Sequence, residues 1–125
     1  MTDPRTIFVF GSNLSGIHGK GAAKCAVEKY GARMFVSEGI QGNSYAIPTK
    51  NRGIKPLPLQ KIEEHVSKFI LFAKEHPELS FNITRIGCGL AGYRDEQIAP
   101  MFVGIPRNCC IPEEWRKYVR HWQEI

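Results

Sequence analysis

The sequence has no long hydrophobic run, and that excludes one class of function at once. With a mean hydropathy of −0.27, no stretch approaches the roughly 20 apolar residues of a membrane-spanning helix. The opening Met1-Thr2-Asp3-Pro4-Arg5 has no apolar segment before a small-residue cleavage site, so the expected location is cytoplasmic. Cysteine is scarce. The four present, Cys25, Cys88, Cys109 and Cys110, contain no C-x₂-C pair, and adjacent Cys109 and Cys110 do not suit one tetrahedral site. Zinc frameworks are therefore excluded, and free thiols in a reducing compartment are expected. His65, His76 and His121 show no ligand spacing either, so neither a metal nor any other cofactor is expected. Blocks of like charge are missing. The net charge is +5, but the basic residues are scattered, a pattern that suits anionic ligands without naming nucleic acid. Repeats, linkers and low-complexity segments are absent too, so the 125 residues read as a single domain, 1–125, with one real core.

What is present is glycine, placed after strands. Thr6-Ile7-Phe8-Val9-Phe10 reads as a buried central strand. It runs into Gly11-Ser12-Asn13 and then Gly16, Gly19 and Gly21, followed by a small-residue helix from Ala22 to Tyr30 with Gly31 as its C-cap. The second unit is Phe81-Asn82-Ile83-Thr84-Arg85-Ile86, which feeds Gly87-Cys88-Gly89-Leu90-Ala91-Gly92-Tyr93 and a helix expected from Asp95 to Val103. A strand that ends in a glycine turn before a helix is a common anion site. Bare backbone N–H groups approach the ligand, and the helix start adds partial positive charge.

Between these units, Met34-Phe35-Val36 reads as a short strand and Gln41-Gly42-Asn43 as a turn. Ser44 to Thr49 reads as a strand whose Pro48 marks an edge or an end. Lys50 to Pro58 is a breaker-rich basic loop, and Pro58 to His76 is the clearest amphipathic helix. Asn108 to Ile111 reads as a last strand. A final helix from Pro112 to the C-terminus is expected to dock Trp115, Val119 and Trp122. Strands alternating with helices give an α/β domain of two or three layers.

The standard glycine fingerprints fail. Gly19-Lys20 is followed by Gly21, so the P-loop hydroxyl is missing. The spacing Gly16, Gly19, Gly21 is not the dinucleotide G-x-G-x-x-G. A backbone phosphate cradle without a named fingerprint remains, against the plain alternative of glycines needed only for turns. If the strands at Thr6 and Phe81 are neighbours, their loops can clasp a diphosphate from both sides.

Ile86-Gly87-Cys88-Gly89-Leu90-Ala91-Gly92-Tyr93 resembles the second phosphate-binding loop of macro domains. It is closest to the branch of terminal ADP-ribose–protein glutamate hydrolases and ADP-ribose 1″-phosphate phosphatases. Gly11-Ser12-Asn13-Leu14 through Gly19-Lys20-Gly21-Ala22-Ala23 resembles the family's first ligand loop. Tyr45-Ala46-Ile47-Pro48-Thr49-Lys50 resembles the strand that carries a lysine in the glutamate hydrolase. The likeness covers roughly residues 6 to 111.

The resemblance implies a three-layer α/β/α macro-domain-like fold with a mixed central sheet, lacking the usual first strand. It also implies ADP-ribose or an ADP-ribose-like small molecule as ligand, either free or borne on an ADP-ribosylated macromolecule. Gly11, Ser12, Asn13, Gly19, Lys20, Gly21 and Ala22 would form one wall with Thr49 and Lys50. Gly87, Cys88, Gly89, Leu90, Ala91, Gly92 and Tyr93 would form the other. Asn13 would face the distal ribose, with Tyr93 near it or near the phosphates. Lys50 would be the nucleophile on the anomeric carbon, which requires a lowered amine pKa. Ala91 stands where the hydrolase keeps its aspartate, which leaves Asp95 or His18 as candidate proton carriers. Asp3 poorly replaces the aspartate that holds adenine. Cys88 is read as packing rather than as a nucleophile.

Three functions follow from this reading: an ADP-ribosyl hydrolase or ADP-ribose phosphatase, a non-catalytic reader or sponge of an ADP-ribose-like signal, and a nucleic-acid or protein-interaction domain. The last is disfavoured, because it leaves the paired glycine loops unexplained.

Overall fold

A computed structural model describes residues 5–119. β1 (Arg5–Asn13) forms the middle of a five-stranded sheet with β2 (Gly39–Gln41), β3 (Ser44–Lys50), β4 (Leu79–Ile83) and β5 (Cys109–Cys110), in the order β2-β3-β1-β4-β5. β1 runs parallel to both β3 and β4, β4 parallel to β5, and β2 antiparallel to β3. The strands at Thr6 and Phe81 are therefore neighbours, with Ile7 opposite Phe81.

The central strands alternate between two cores, as a pleat requires. Ile7 and Val9 of β1 and Tyr45 and Ile47 of β3 join the larger core, with Ile62, Val66, Phe69 and Ala73 of α2 (Leu59–Glu75). Phe10 and Ala46 point the other way and meet Ala23 and Ala26 of α1 (Gly21–Lys29). Small side chains let α1 lie close to the sheet. Helices thus cover both faces, giving the three-layer α/β/α arrangement with a mixed sheet. The larger core continues through α3 (Asp95–Ile98), a 3-10 turn at Ala99–Phe102, and Trp115. The Asn108 amide donates to the carbonyls of Ala73, His76 and Leu79, closing the end of α2 against β4.

Several local expectations need correction. Met34 and Phe35 form a turn, not a strand, because Phe35 takes φ 70°, which ends any extended run. The strand comes later, as β2, and includes Gln41. β4 stops at Ile83, three residues short of Ile86; the N–H and the hydroxyl of Thr84 both bond Val9 O, at 3.1 and 2.8 Å, as the last link to β1. The helix after the second loop ends early. Pro100 lies in the first turn of the 3-10 segment and cannot donate a helical bond. Beyond Pro112 the described chain makes a 3-10 turn, Glu113–Trp115, and further turns rather than an α-helix. Trp122, His121 and Asp3 lie outside the described residues. Pro48 sits inside an interior strand. β2 pairs only with Ser44 to Ala46, so that flank of β3 is open at Pro48, where a residue lacking an N–H is tolerated.

Candidate functional site

The parallel strands β1, β3 and β4 bring Asn13, Lys50 and the chain after Ile83 to one edge of the sheet. Ligands of α/β sheets bind at this carboxyl edge. A cavity of about 640 Å³ opens there between the two glycine loops. The size suits a nucleotide-scale ligand.

One wall is the start of α1. Residues Gly19 to Ala23 line the cavity. Lys20, the N-cap, makes no side-chain cap bond, and the first turn holds no acidic residue. The free N–H groups of that turn and the helix dipole therefore favour an anion. The opposite wall is the second loop, through Ile86, Gly87, Gly89, Leu90 and Ala91. Gly87 and Gly89 have different duties. At Gly87 φ is +75° and an added Cβ would come within 2.9 Å of Ile98 Cδ1, whereas a Cβ at Gly89 would meet nothing within 4 Å. Gly87 lets the loop pack on α3, and Gly89 leaves the cavity open.

Three cations line the cavity, Lys20, Lys50 and Arg85, and no carboxylate does among the described residues. Lys50 ends β3 and is buried. Burial pushes its pKa down, and nearby Lys20 pushes it further in the same direction. Both effects disfavour the ammonium form. Arg85 is held by a two-pronged pair, Nε and Nη2 to the Asp95 carboxylate, each at 2.9 Å.

Of the residues expected at the site, Gly11, Asn13, Gly19, Lys20, Gly21, Ala22, Thr49, Lys50, Gly87, Gly89, Leu90 and Ala91 line this cavity. Asn13 does so with its amide engaged. Its Oδ1 accepts from Ile17 N at 3.0 Å and its Nδ2 donates to Ile17 O at 2.8 Å, closing the first loop. Ser12, Cys88, Gly92 and Tyr93 are not among the lining residues. The Ser12 hydroxyl donates to Ser37 O, and the Tyr93 hydroxyl donates to Leu57 O at 2.7 Å. The Cys88 thiol is pushed up to about 12 by burial, with Asp95 adding to the shift, so it stays protonated and is no nucleophile.

Neither candidate proton carrier reaches the cavity wall. His18 is buried rather than loop-exposed; its ring meets Phe10 edge-on and its Nε2 lies 3.1 Å from Val36 O. Asp95 accepts from Arg85 and from Trp115 Nε1 at 2.8 Å. The Arg85 bond in particular holds its carboxyl below the usual range. An acid so committed to its ionised form is a poor proton donor.

The cavity also uses Ile17, Ala23, Ile54, Thr84, Arg85 and Ile86. Arg85 and Ile86 sit directly before the glycine motif, so adjacency was a usable signal. Nothing local in the sequence marked Ile17 or Ile54, which reach the rim through the folding of two separate loops.

No family model and no curated protein matches the chain. Solved structures do. A Bacteroides thetaiotaomicron protein of unknown function superposes with TM-score 0.62 at 17% identity, covering 89% of this chain and 87% of that one. Thermosipho africanus DarTG, solved in complex with ADP-ribose, superposes with TM-score 0.61 at 18% identity over 88% of this chain. The match spans only 38% of the DarTG chain. At such identities the likeness carries the fold alone. With its five-stranded mixed sheet between helices, the chain has a macro-domain-like α/β fold.

Proposed function

We propose that the cavity binds ADP-ribose or a closely related nucleotide-sugar diphosphate. The observation that carries this reading is the cavity wall itself. An uncapped helix start and a glycine loop face each other across it, with three cations and no carboxylate among the described lining residues. Such a lining stabilises a diphosphate through backbone donors and charge. ADP-ribose in the DarTG structure is consistent with the same ligand class. Calorimetry with ADP-ribose tests it, with saturable heat as the expected result; no heat at millimolar ligand would reject the site.

Lys50 gives that binding a pH signature. Its pKa is lowered in the free protein, and a bound phosphate favours the charged amine. Binding at alkaline pH should therefore take up protons, and affinity should fall as pH rises through the free-state pKa. Repeating the titration in buffers of different ionisation enthalpy reads the uptake directly. No buffer dependence at any alkaline pH would separate Lys50 from the anion.

The same lowered pKa favours turnover as a second reading. A neutral Lys50 amine would attack the anomeric carbon, forming a C–N bond as the bond to the leaving oxygen breaks. The proton shed by the nitrogen would pass, through water, to the leaving oxygen. A second water would then cleave the C–N bond and restore the amine. Ala91 in the wall and the engaged Asp95 leave no protein carboxylate to speed these transfers, so turnover should be slow and should rise with pH. Lys50→Ala should remove it, a loss of roughly 100-fold or more by the scale of lost nucleophiles. Full turnover in that variant on ADP-ribosylated protein would exclude the lysine. If the wild type binds without turnover, the domain is a reader.

A further inference from the structure

Phe35 carries two costs that the cavity does not explain. Its side chain is 77% exposed, and its backbone takes φ 70°, a left-handed conformation that an aromatic residue rarely adopts. The turn is pinned in that state. Phe35 N donates to Gly16 O at 2.7 Å, and an added Cβ at Gly16 would come within 2.5 Å of the Phe35 carbonyl carbon. His18 N donates to Met34 Sδ at 3.4 Å, which fixes the residue before the ring. A large apolar ring kept in water on a strained, pinned turn points to a surface used for binding.

The charge around this ring is of one sign. Residues 1–58 carry eight cationic and three acidic side chains and residues 59–125 carry nine of each, so the whole net charge of +5 arises before α2. Segments 5–27 and 39–62 hold no acid at all. Glu38, the carboxylate nearest in sequence to Phe35, is turned onto α2, where it meets His65 at 2.7 Å and Lys68 at 3.9 Å. Arg33, Arg52 and Lys55 are all exposed. The basic turn that holds Arg52 and Lys55 docks on the same loop as Phe35: Ser15 Oγ donates to Arg52 O at 2.8 Å, one residue from Gly16. The two turns, one with the ring and one with the cations, thus meet the chain at Ser15 and Gly16.

We infer that this face, outside the cavity, binds single-stranded nucleic acid, with a base stacked on Phe35 and the flanking phosphates on Arg33, Arg52 and Lys55. An exposed ring among cations is the arrangement such strands use: every base offers a π-face, and the cations follow the phosphates. A duplex would bring the phosphates but keep its bases stacked on one another. An acidic peptide would pair with the cations and leave the ring in water. None of the four residues lines the cavity, so this face and the ADP-ribose reading stand or fall separately.

Fluorescence anisotropy of a labelled oligothymidylate of about 15 nucleotides, titrated with the whole protein at low salt, tests this. Binding should saturate, and the logarithm of affinity should fall against the logarithm of salt with a slope of roughly −2, as three phosphate contacts require. The matching duplex and an oligoglutamate of equal charge should each bind more weakly, by roughly fivefold or more. Phe35→Asn should weaken the strand by roughly fivefold or more, the scale of one lost stack. That variant should melt no lower than wild type, since asparagine tolerates the left-handed backbone and keeps the bond to Gly16, and it should keep full affinity for ADP-ribose. Arg52→Glu should weaken the strand and flatten the salt slope, which tests the face even if the Phe35 variant folds poorly. No binding of the strand to wild type, a duplex or oligoglutamate that binds as tightly, or strand affinity unchanged in either variant would each overturn the inference. All three outcomes leave the ADP-ribose reading intact, and a failure of ADP-ribose to bind leaves this face intact.

Discussion

Gly89→Val should reduce ADP-ribose affinity at least 100-fold, about 2.7 kcal/mol, with the melting temperature nearly unchanged. The two halves of that result have separate causes. A Cβ at Gly89 would meet no heavy atom within 4 Å, and Gly89 does not use the left-handed backbone region. The folded protein therefore has room for the side chain. That room is the cavity, where in the proposed binding mode a phosphate approaches the backbone closely and the added side chain would hold it away. Gly87→Val should behave in the opposite way. There the new atom collides with Ile98 and the backbone sits at positive φ, so the fold is strained first. Unchanged ADP-ribose affinity in the Gly89 variant would mean that the ligand does not lie against this loop. A melting temperature reduced as far as in the Gly87 variant would mean that the loop's openness is structural.

The contrast between these two glycines also shows where sequence reasoning stops. Both belong to one motif, and spacing alone treats them alike. Only the position of Ile98, eleven residues on, tells them apart. The larger plan was legible because it follows local rules. Thr6 to Phe10 is an apolar β-branched run, Ile62, Val66, Phe69 and Ala73 repeat at helical spacing, and Ala22, Ala23 and Ala26 mark a helix that packs closely on a sheet. The strand-like chemistry of Phe35 is overridden by a bond from its N–H to Gly16 O, at 2.7 Å across nineteen residues. His18 reads as an exposed loop residue until the packing of Phe10 and Val36 encloses it. Asp95 follows the glycine motif and looks available for chemistry. Its partners are Arg85, ten residues before it, and Trp115, twenty residues after it, so its commitment to a paired, ionised form is a tertiary fact.

Trp115→Ala should cost about 3–5 kcal/mol of stability, lowering the melting temperature by roughly 10–20 °C for a domain of this size. Trp115 is fully buried and stacks obliquely on Phe102 at 5.1 Å between ring centroids. Its indole N–H donates to Asp95, the carboxylate that also holds Arg85 and faces the Cys88 thiol. One side chain therefore joins the larger core to the base of the second glycine loop. Trp115→Phe separates the two contributions. It keeps an aromatic ring in the core and loses the donor together with part of the ring volume. The Asp95 side chain is 24% exposed, so water can replace the lost bond, whose share of the cost is about 1 kcal/mol, the remainder being lost packing and well below the alanine cost. The alanine variant should weaken ADP-ribose binding as well, because Arg85 lines the cavity and is oriented by an Asp95 that has lost its anchor. Equal losses of stability in the two variants would show that the Asp95 bond, and not packing, dominates. Full stability in the alanine variant would show that the segment after Pro112 is not part of the core.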